Sequence, residues 1–265
     1  MLAPVDSARR AAIGARPYGM HLFLLGFTVV LLYVDGRLLR LGPQLVLGLV
    51  TFGVLLVCAR RVDRERRLQL WVCIPVATCF EVIGSLIWGG YRYRLHNIPL
   101  YVPPGHALVY LFGITALTLP LVQRHGPAFR YTILALCTGW SIAGLTFLPF
   151  LTGRLDVSGA LIWPLFAWCI LYSGRGELFG AIWIATTTLE IAGTWAGDWT
   201  WVAVTPWTHV PSGNPPSAIA AGYAVIDGTV VLLAPVALRA ARRLGCALPG
   251  RPALPSPVTT PVSGS

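Results

Sequence analysis

The chain has 265 residues, 55% of them apolar and 11% charged, with a mean hydropathy of +0.69, whereas an ordinary soluble domain is about 25% charged. This composition excludes a soluble enzyme. All twenty basic residues are arginines and the formal charge is +10, but the arginines cluster between apolar runs instead of lining one helix face, so no nucleic-acid partner is expected.

Apolar runs of about twenty residues, each able to span a bilayer, recur along the chain. Residues 1–20, MLAPVDSARRAAIGARPYGM, are basic and no small-residue cleavage site follows them, so they read as a cytoplasmic lead. Apolar runs then fall near 21–35, 41–58, 69–89 and 105–122, and after a short break near 131–151, 158–173, 178–196 and 217–238. The pattern predicts an all-α integral membrane protein of about eight transmembrane helices, with one four-helix unit over 21–122 and a second over 131–243. The tail, 246–265, is rich in Pro, Ser and Thr and cannot bury enough surface to order itself.

If both termini are cytoplasmic, fifteen arginines lie inside and five, Arg37, Arg40, Arg92, Arg94 and Arg154, lie outside. That bias obeys the positive-inside rule and predicts a multi-pass protein of the cell membrane, with the lipid bilayer as its surroundings. Arg-only, Ala- and Pro-rich usage points to a GC-rich bacterial source. Five of the six cysteines sit inside apolar runs, and no CxxC pair is present, so they read as small buried hydrophobes.

The third run contains Thr78-Cys-Phe-Glu81-Val-Ile-Gly84-Ser85, and the seventh contains Thr187-Thr-Leu-Glu190-Ile-Ala-Gly193-Thr194, 109 residues later. Downstream, Gly90-Tyr91-Arg92-Tyr93 is echoed by Asp198-Trp199-Thr200-Trp201, and Tyr101-Val-Pro-Pro-Gly-His106 by His209-Val-Pro-Ser-Gly-Asn-Pro-Pro216. Four spans per half predict two parallel repeats, with a site between them. On a helix the Thr, Gly and Ser/Thr neighbours share the face of each Glu, a stripe small enough for another helix to approach. Both glutamates lie two turns below the outer end, roughly 10 Å deep. Ionisable residues at such depth face a bundle interior or cavity, and apolar surroundings favour the neutral acid, which is what protonating an alkene requires. Asp227, ten residues into the eighth run, is a third buried acid, and its counterpart in the first half is Thr115.

Tyr91, Tyr93, Tyr101, Trp195, Trp199 and Trp201 lie near the outer interface, where aromatic residues anchor membrane proteins. The paired Tyr-x-Tyr and Trp-x-Trp spacings also suit a cavity wall, because aromatic faces stabilise cations. Arg92 and Arg94 either meet an anionic head group or are solvated loop charges, and with His106 and Asn214 they complete the candidate substrate-binding set. No metal-type His spacing, diphosphate-binding aspartate motif, Walker loop or GxSxG elbow is present, so neither metal nor cofactor is expected.

Glu81-x-x-Gly84 followed by Gly90-Tyr91-x-Tyr93 and Ile98-Pro99-Leu100, with the second copy Trp199-x-Trp201, Pro211 and Asn214, resembles the polytopic membrane carotenoid-biosynthesis proteins that include carotenoid hydratases. The resemblance covers about a third of the chain. It implies an all-helical enzyme that hydrates the terminal alkene of a carotenoid without a redox cofactor, with Glu81 as acid beside Tyr91 and Tyr93. The expected function is acid–base protonation of an alkene in an apolar isoprenoid-like substrate, leading to hydration or cyclisation, with Glu81, Glu190 and Asp227 as catalytic acids. The alternative is a proton-coupled transporter or lipid-binding membrane protein without catalysis.

Overall fold

The computed structural model of the chain describes residues 6–38 and 40–243; the tail expected over 246–265 lies outside the described residues. The chain is mostly helical. Its helices are α1 (Asp6–Asp35), α2 (Leu41–Ala59), α3 (Arg64–Glu81), α4 (Val102–Ala116), α5 (Pro120–Leu145), α6 (Leu148–Thr152), α7 (Val157–Tyr172), α8 (Gly176–Ala196) and α9 (Ala220–Arg243). A π-helical turn, Val82–Ile87, prolongs α3. Each apolar run of the sequence falls largely within one of these helices, while the backbone of the expected N-terminal lead is already helical from Asp6.

By length and hydropathy four helical stretches suffice to cross a membrane: Pro17–Asp35, Leu41–Ala59, Arg64–Ile87 and Ala220–Ala240. A fifth arises if α4 and α5, bent by 98° at their junction, form one broken span. The number falls short of eight for local reasons. Helix α7 has only 16 residues, and α8, long enough at 21, is diluted by Thr186, Thr187, Thr188, Glu190 and Thr194. The chain is thus a helical protein with four to five candidate membrane spans.

One feature departs from an all-α reading. Strands β1 (Tyr91–Tyr93) and β2 (Trp199–Trp201) pair antiparallel, with Tyr91 opposite Trp201, Arg92 opposite Thr200 and Tyr93 opposite Trp199. The two segments alternate aromatic and polar residues with a period of two, and aromatic side chains favour extended backbone. The pairing joins the loop after α3 to the loop after α8. Below this ribbon, α3 packs against α4 and α9, and α8 packs against α4 and α9, so these four helices form the core. Around them α2 lies on α4, α5 on α7 and α8, and α1 mainly on α8. The outward faces of α1 and α2 expose large apolar side chains such as Leu22, Val30, Val46 and Leu49, as a lipid-facing surface does.

Local polar contacts pin the loops to this core. Asp156, at the start of α7 and buried, accepts hydrogen bonds from the backbone N–H groups of Gly159 at 3.0 Å, Gly213 at 3.0 Å and Ser217 at 2.7 Å. It therefore caps α7 and holds the segment that leads into α9. Asp156→Ala strands three buried donors, each worth about 1–3 kcal/mol when unpaired, and is expected to lower the midpoint of thermal unfolding in detergent markedly, with Asp156→Asn recovering part of the loss. An unchanged midpoint for the alanine variant would show that the loop is held by other contacts.

Candidate functional site

Glu81, the last residue of α3, and Glu190, on α8, are both buried in the core beneath the ribbon. Glu81 Oε2 accepts hydrogen bonds from the hydroxyls of Tyr91 and Tyr93, both at 2.7 Å, and its Oε1 lies 2.8 Å from His106 Nε2 on α4. Glu190 Oε2 accepts from the indole N–H groups of Trp199 at 3.0 Å and Trp201 at 3.1 Å, and its Oε1 from the Tyr223 hydroxyl on α9 at 3.1 Å. Each carboxylate thus meets two aromatic donors from the strand that follows its own helix and a third from the next core helix. The two third donors touch one another: the rings of His106 and Tyr223 stack at 4.9 Å with 21° between their planes.

The glycines three residues after each glutamate make these contacts possible. A Cβ built on Gly84 would lie 2.9 Å from the Tyr91 hydroxyl, and one on Gly193 would lie 2.0 to 2.4 Å from atoms of the Trp199 ring. The aromatic rings reach the carboxylates through the space those missing side chains leave. The π-helical turn after Glu81 belongs to the same construction, since such turns re-aim the residues that follow them. Burial, together with the Glu81 carboxylate beside them, pushes the Tyr91 and Tyr93 phenols up, so both remain neutral donors.

Both glutamates line a single cavity of about 280 Å³. Its walls are mostly apolar and aromatic, with Tyr91 and Trp201 4.7 Å apart and Tyr93 and Trp199 6.1 Å apart between ring centroids. On one side the lining runs from Phe27 and Thr28 of α1 to Ile83 and Gly84 of the π turn. Ile83 is 49% exposed, so the cavity reaches the lipid-facing surface there. At the corresponding end of α8, α1 packs with Tyr33 stacked on Trp195, whereas α5 meets α8 near Gly180.

Of the residues singled out in the sequence, Glu81, Glu190, Tyr91, Tyr93, Tyr101, Trp199, Trp201 and His106 line this cavity. Five others do not. Trp195 is 72% exposed and stacks on Tyr33, because five residues beyond Glu190 a helix presents the opposite face. Arg92 is exposed at the middle of β1, pointing away from its neighbours Tyr91 and Tyr93. Arg94 donates to the backbone carbonyls of Asp35 and Leu38 and lies 3.6 Å from the Asp35 carboxylate, so it braces the ribbon against α1. Asn214 is exposed, and its Oδ1 accepts from the Trp201 N–H at 2.9 Å, fixing β2 from outside. Asp227 lies one helical turn below Tyr223, beyond the cavity lining.

Two equivalences also change. Thr115, the expected counterpart of Asp227, has its hydroxyl 3.1 Å from His21 Nε2; since Tyr223 takes the place of His106, the residue that corresponds to Asp227 is Tyr110. His209 is exposed in the turn between Thr205 and Val210, and among the described residues no group of three or more His, Cys, Asp or Glu side chains is placed to hold a metal ion. Tyr223 is the site residue that sequence reasoning missed; its position four residues before Asp227, on the same helix face, is the one available signal.

A second buried pair lies above the site. Asp35, at the end of α1, accepts from Gln44 at 3.1 and 3.2 Å and from the Tyr101 hydroxyl at 3.0 Å. Asp198, between α8 and β2, is 1% exposed, and its oxygens meet no donor among the described residues. Its neighbour is the Asp35 carboxyl, and the two can hydrogen-bond only through a proton held between them. Burial and Asp35 push Asp198 up to about 8.

Comparison of the chain with family models, characterised proteins and solved structures finds no match.

Two outcomes follow from this geometry. Gly193→Ala drives a methyl group into the Trp199 ring and is expected to cost about 1–3 kcal/mol of stability, the usual penalty of overpacking, with Gly84→Ala milder because only the far end of Tyr91 must give way; equal midpoints for wild type and Gly193→Ala would contradict the packing described. Because folded Asp198 keeps a proton that the unfolded chain has released, wild-type stability should fall as pH rises from about 4 to about 8. In Asp198→Asn that slope should flatten, as thermal unfolding across the same pH series would read directly.

Proposed function

We propose that this chain is an integral-membrane enzyme that protonates an alkene at the end of an apolar isoprenoid-like lipid and completes the reaction by hydration or cyclisation. The observation that carries the proposal is the pair of buried glutamates, each held by three donors, on one aromatic-walled cavity that reaches the lipid-facing surface. A cavity of about 280 Å³ is at the small end for ligand sites. It suits one end of a long chain whose remainder stays in the bilayer beside α1 and the π turn.

The two glutamates differ in their third partner, and the difference assigns their roles. An imidazole can take up and return a proton, so the Glu81–His106 pair is the acid: the proton that His106 Nε2 shares with Glu81 Oε1 passes through Glu81 to the alkene, a carbocation forms at the more substituted carbon, and Glu81 is left a carboxylate beside a neutral His106. The faces of Trp199, Trp201 and Tyr91 stabilise that cation. Glu190 is held only by two indoles and a phenol, which donate and do not exchange protons readily, and it stays a carboxylate facing the cation. In hydration, water adds to the cation and its surplus proton goes to Glu190; in cyclisation, a second alkene of the same chain attacks and the adjacent carbon loses its proton to Glu190. Either way one proton is spent by one glutamate and recovered by the other, a division of labour that unlike surroundings permit.

The same reading extends to the architecture. Eight membrane crossings in two parallel four-helix repeats, with both termini cytoplasmic in a bacterial cell membrane, accommodate the matching Glu-x-x-Gly segments, the matching strands and the equivalent packing of α3 on α9 and α4 on α8. Helices α1 and α5 break the relation, since both pack on α8.

The test is mass spectrometry of lipid extracts from cells supplied with isoprenoid precursors, expressing wild type, Glu81→Gln or Glu190→Gln. Wild type should yield a product heavier by one water or isomeric with its precursor, and either substitution should reduce it by about 100-fold or more, the contribution of a general acid or base. Wild-type yields in both variants would overturn the mechanism. Gradient-dependent uptake into vesicles without any new lipid would instead establish transport.

A further inference from the structure

A line of polar side chains runs from the paired glutamates toward the opposite end of the core. On α3, Glu81, Ala77, Cys73 and Gln69 are spaced four residues apart and so share one face. On α4 His106 is followed by Tyr110, on α9 Tyr223 by Asp227, and on α8 Glu190 is preceded by Thr186, each at the same four-residue step. Four core helices therefore direct polar groups along one axis, each step about 6 Å long. The Asp227 carboxyl is near enough to the Cys73 thiol and the Tyr110 phenol to act on both electrostatically. Tyr110 donates to Gln69 Oε1 at 3.1 Å.

Gln69 and Tyr110 in turn line a second cavity of about 280 Å³, whose other walls include Arg66, Arg175 and Glu177 at the arginine-bearing end of the bundle. Between the two cavities lie groups whose hydrogen-bonding capacity is unused. Asp227 is 3% exposed and its Oδ2 has no partner among the described residues. Thr186 is fully buried, and its hydroxyl is likewise unpartnered, although Thr188 and Thr194 on the same helix bond the carbonyl four residues back. Buried polar groups of this kind are satisfied by water where the surroundings are polar and connected.

We propose that this column is a water-bearing inlet that links the arginine-bearing end of the bundle to the paired glutamates, with Asp227 as its central relay. It rests on the acid–base reading above only for what the inlet supplies: the water consumed in hydration, and a path by which the proton collected by Glu190 returns to the His106–Glu81 pair. Asp227 is thus a positioning residue, holding water at mid-depth, and not a group that touches the substrate. Its place on α9 explains why a third acid lies next to the site without lining it.

The inlet is tested without reference to turnover by the reactivity of Cys73, which is 0% exposed and lies on the column. Cys137 is also 0% exposed but lies on α5, outside the four helices that carry the column, beside the Ser217 carbonyl. In the full-length protein purified in detergent, with either Cys73 or Cys137 as the only cysteine, Ag⁺ is added and the remaining thiol is counted by alkylation after denaturation. Cys73 should react at least about tenfold faster than Cys137, because a dry buried thiol reacts only after local opening. Adding Asp227→Leu should slow Cys73 to the rate of Cys137, and Asp227→Asn, which still binds water, should leave it fast. Equal rates for Cys73 and Cys137 in the otherwise native chain would overturn the inlet, whatever the Asp227 variants do. Glu81→Gln should abolish product while leaving Cys73 reactive, so failure of the inlet and failure of the acid–base mechanism are read separately.

Discussion

Two carboxylates placed inside an apolar helix bundle must each be given hydrogen-bond donors, and most of the architecture answers to that demand. Leaving such a group unpaired costs several kcal/mol, and a helix cannot supply donors from its own saturated backbone. The donors come from outside: four aromatic side chains descend from the β1–β2 ribbon, and His106 and Tyr223 reach across from α4 and α9. The ribbon can serve both glutamates because its antiparallel register sets the Tyr pair and the Trp pair across from each other, while Arg92 and Thr200 turn outward. Gly84 and Gly193 are the complement of this arrangement, since the rings pass where side chains would otherwise stand.

The two glutamates are held in like ways, and their donors differ. Phenols and an imidazole surround Glu81, whereas indoles and a phenol surround Glu190. The outer helices differ too. Helix α1 is drawn onto α8 instead of α3, and the cavity lining beside Glu81 includes the exposed Ile83.

Polar groups beyond the cavity follow the same helix faces inward. On α4, α8 and α9 a polar residue stands four positions from the site residue, and on α3 Cys73 and Gln69 stand eight and twelve positions from Glu81. Among the described residues, the Asp35–Asp198 pair above the ribbon and Asp227 below the glutamates are the two places where carboxyls are buried with oxygens left unpartnered. They bracket the site from opposite ends, one tying the ribbon to α1 and α2 and the other lying on the inward column.

Hydropathy alone locates the helices, because burying an apolar run is a local property read residue by residue, and the Glu-x-x-Gly echo marks the site because a repeated ionisable residue in such a run has few uses. Composition equally accounts for the lipid-facing surfaces. The count of spans is less legible: α7 is short and α8 is diluted by threonines, so neither meets the criterion by itself. Which aromatics serve the site depends on facts no linear pattern contains. Trp195 and Trp199 read alike in the sequence, yet one is on the outer face of a helix and the other in a strand whose register points it at Glu190. Arg92 and Arg94 likewise separate into an outward side chain and a brace, and Tyr223 enters although nothing near it repeats a motif. Those assignments come from the pairing of two loops more than a hundred residues apart and from the crossing of α4 with α9, contacts whose partners are distant in sequence and whose geometry only the folded chain defines.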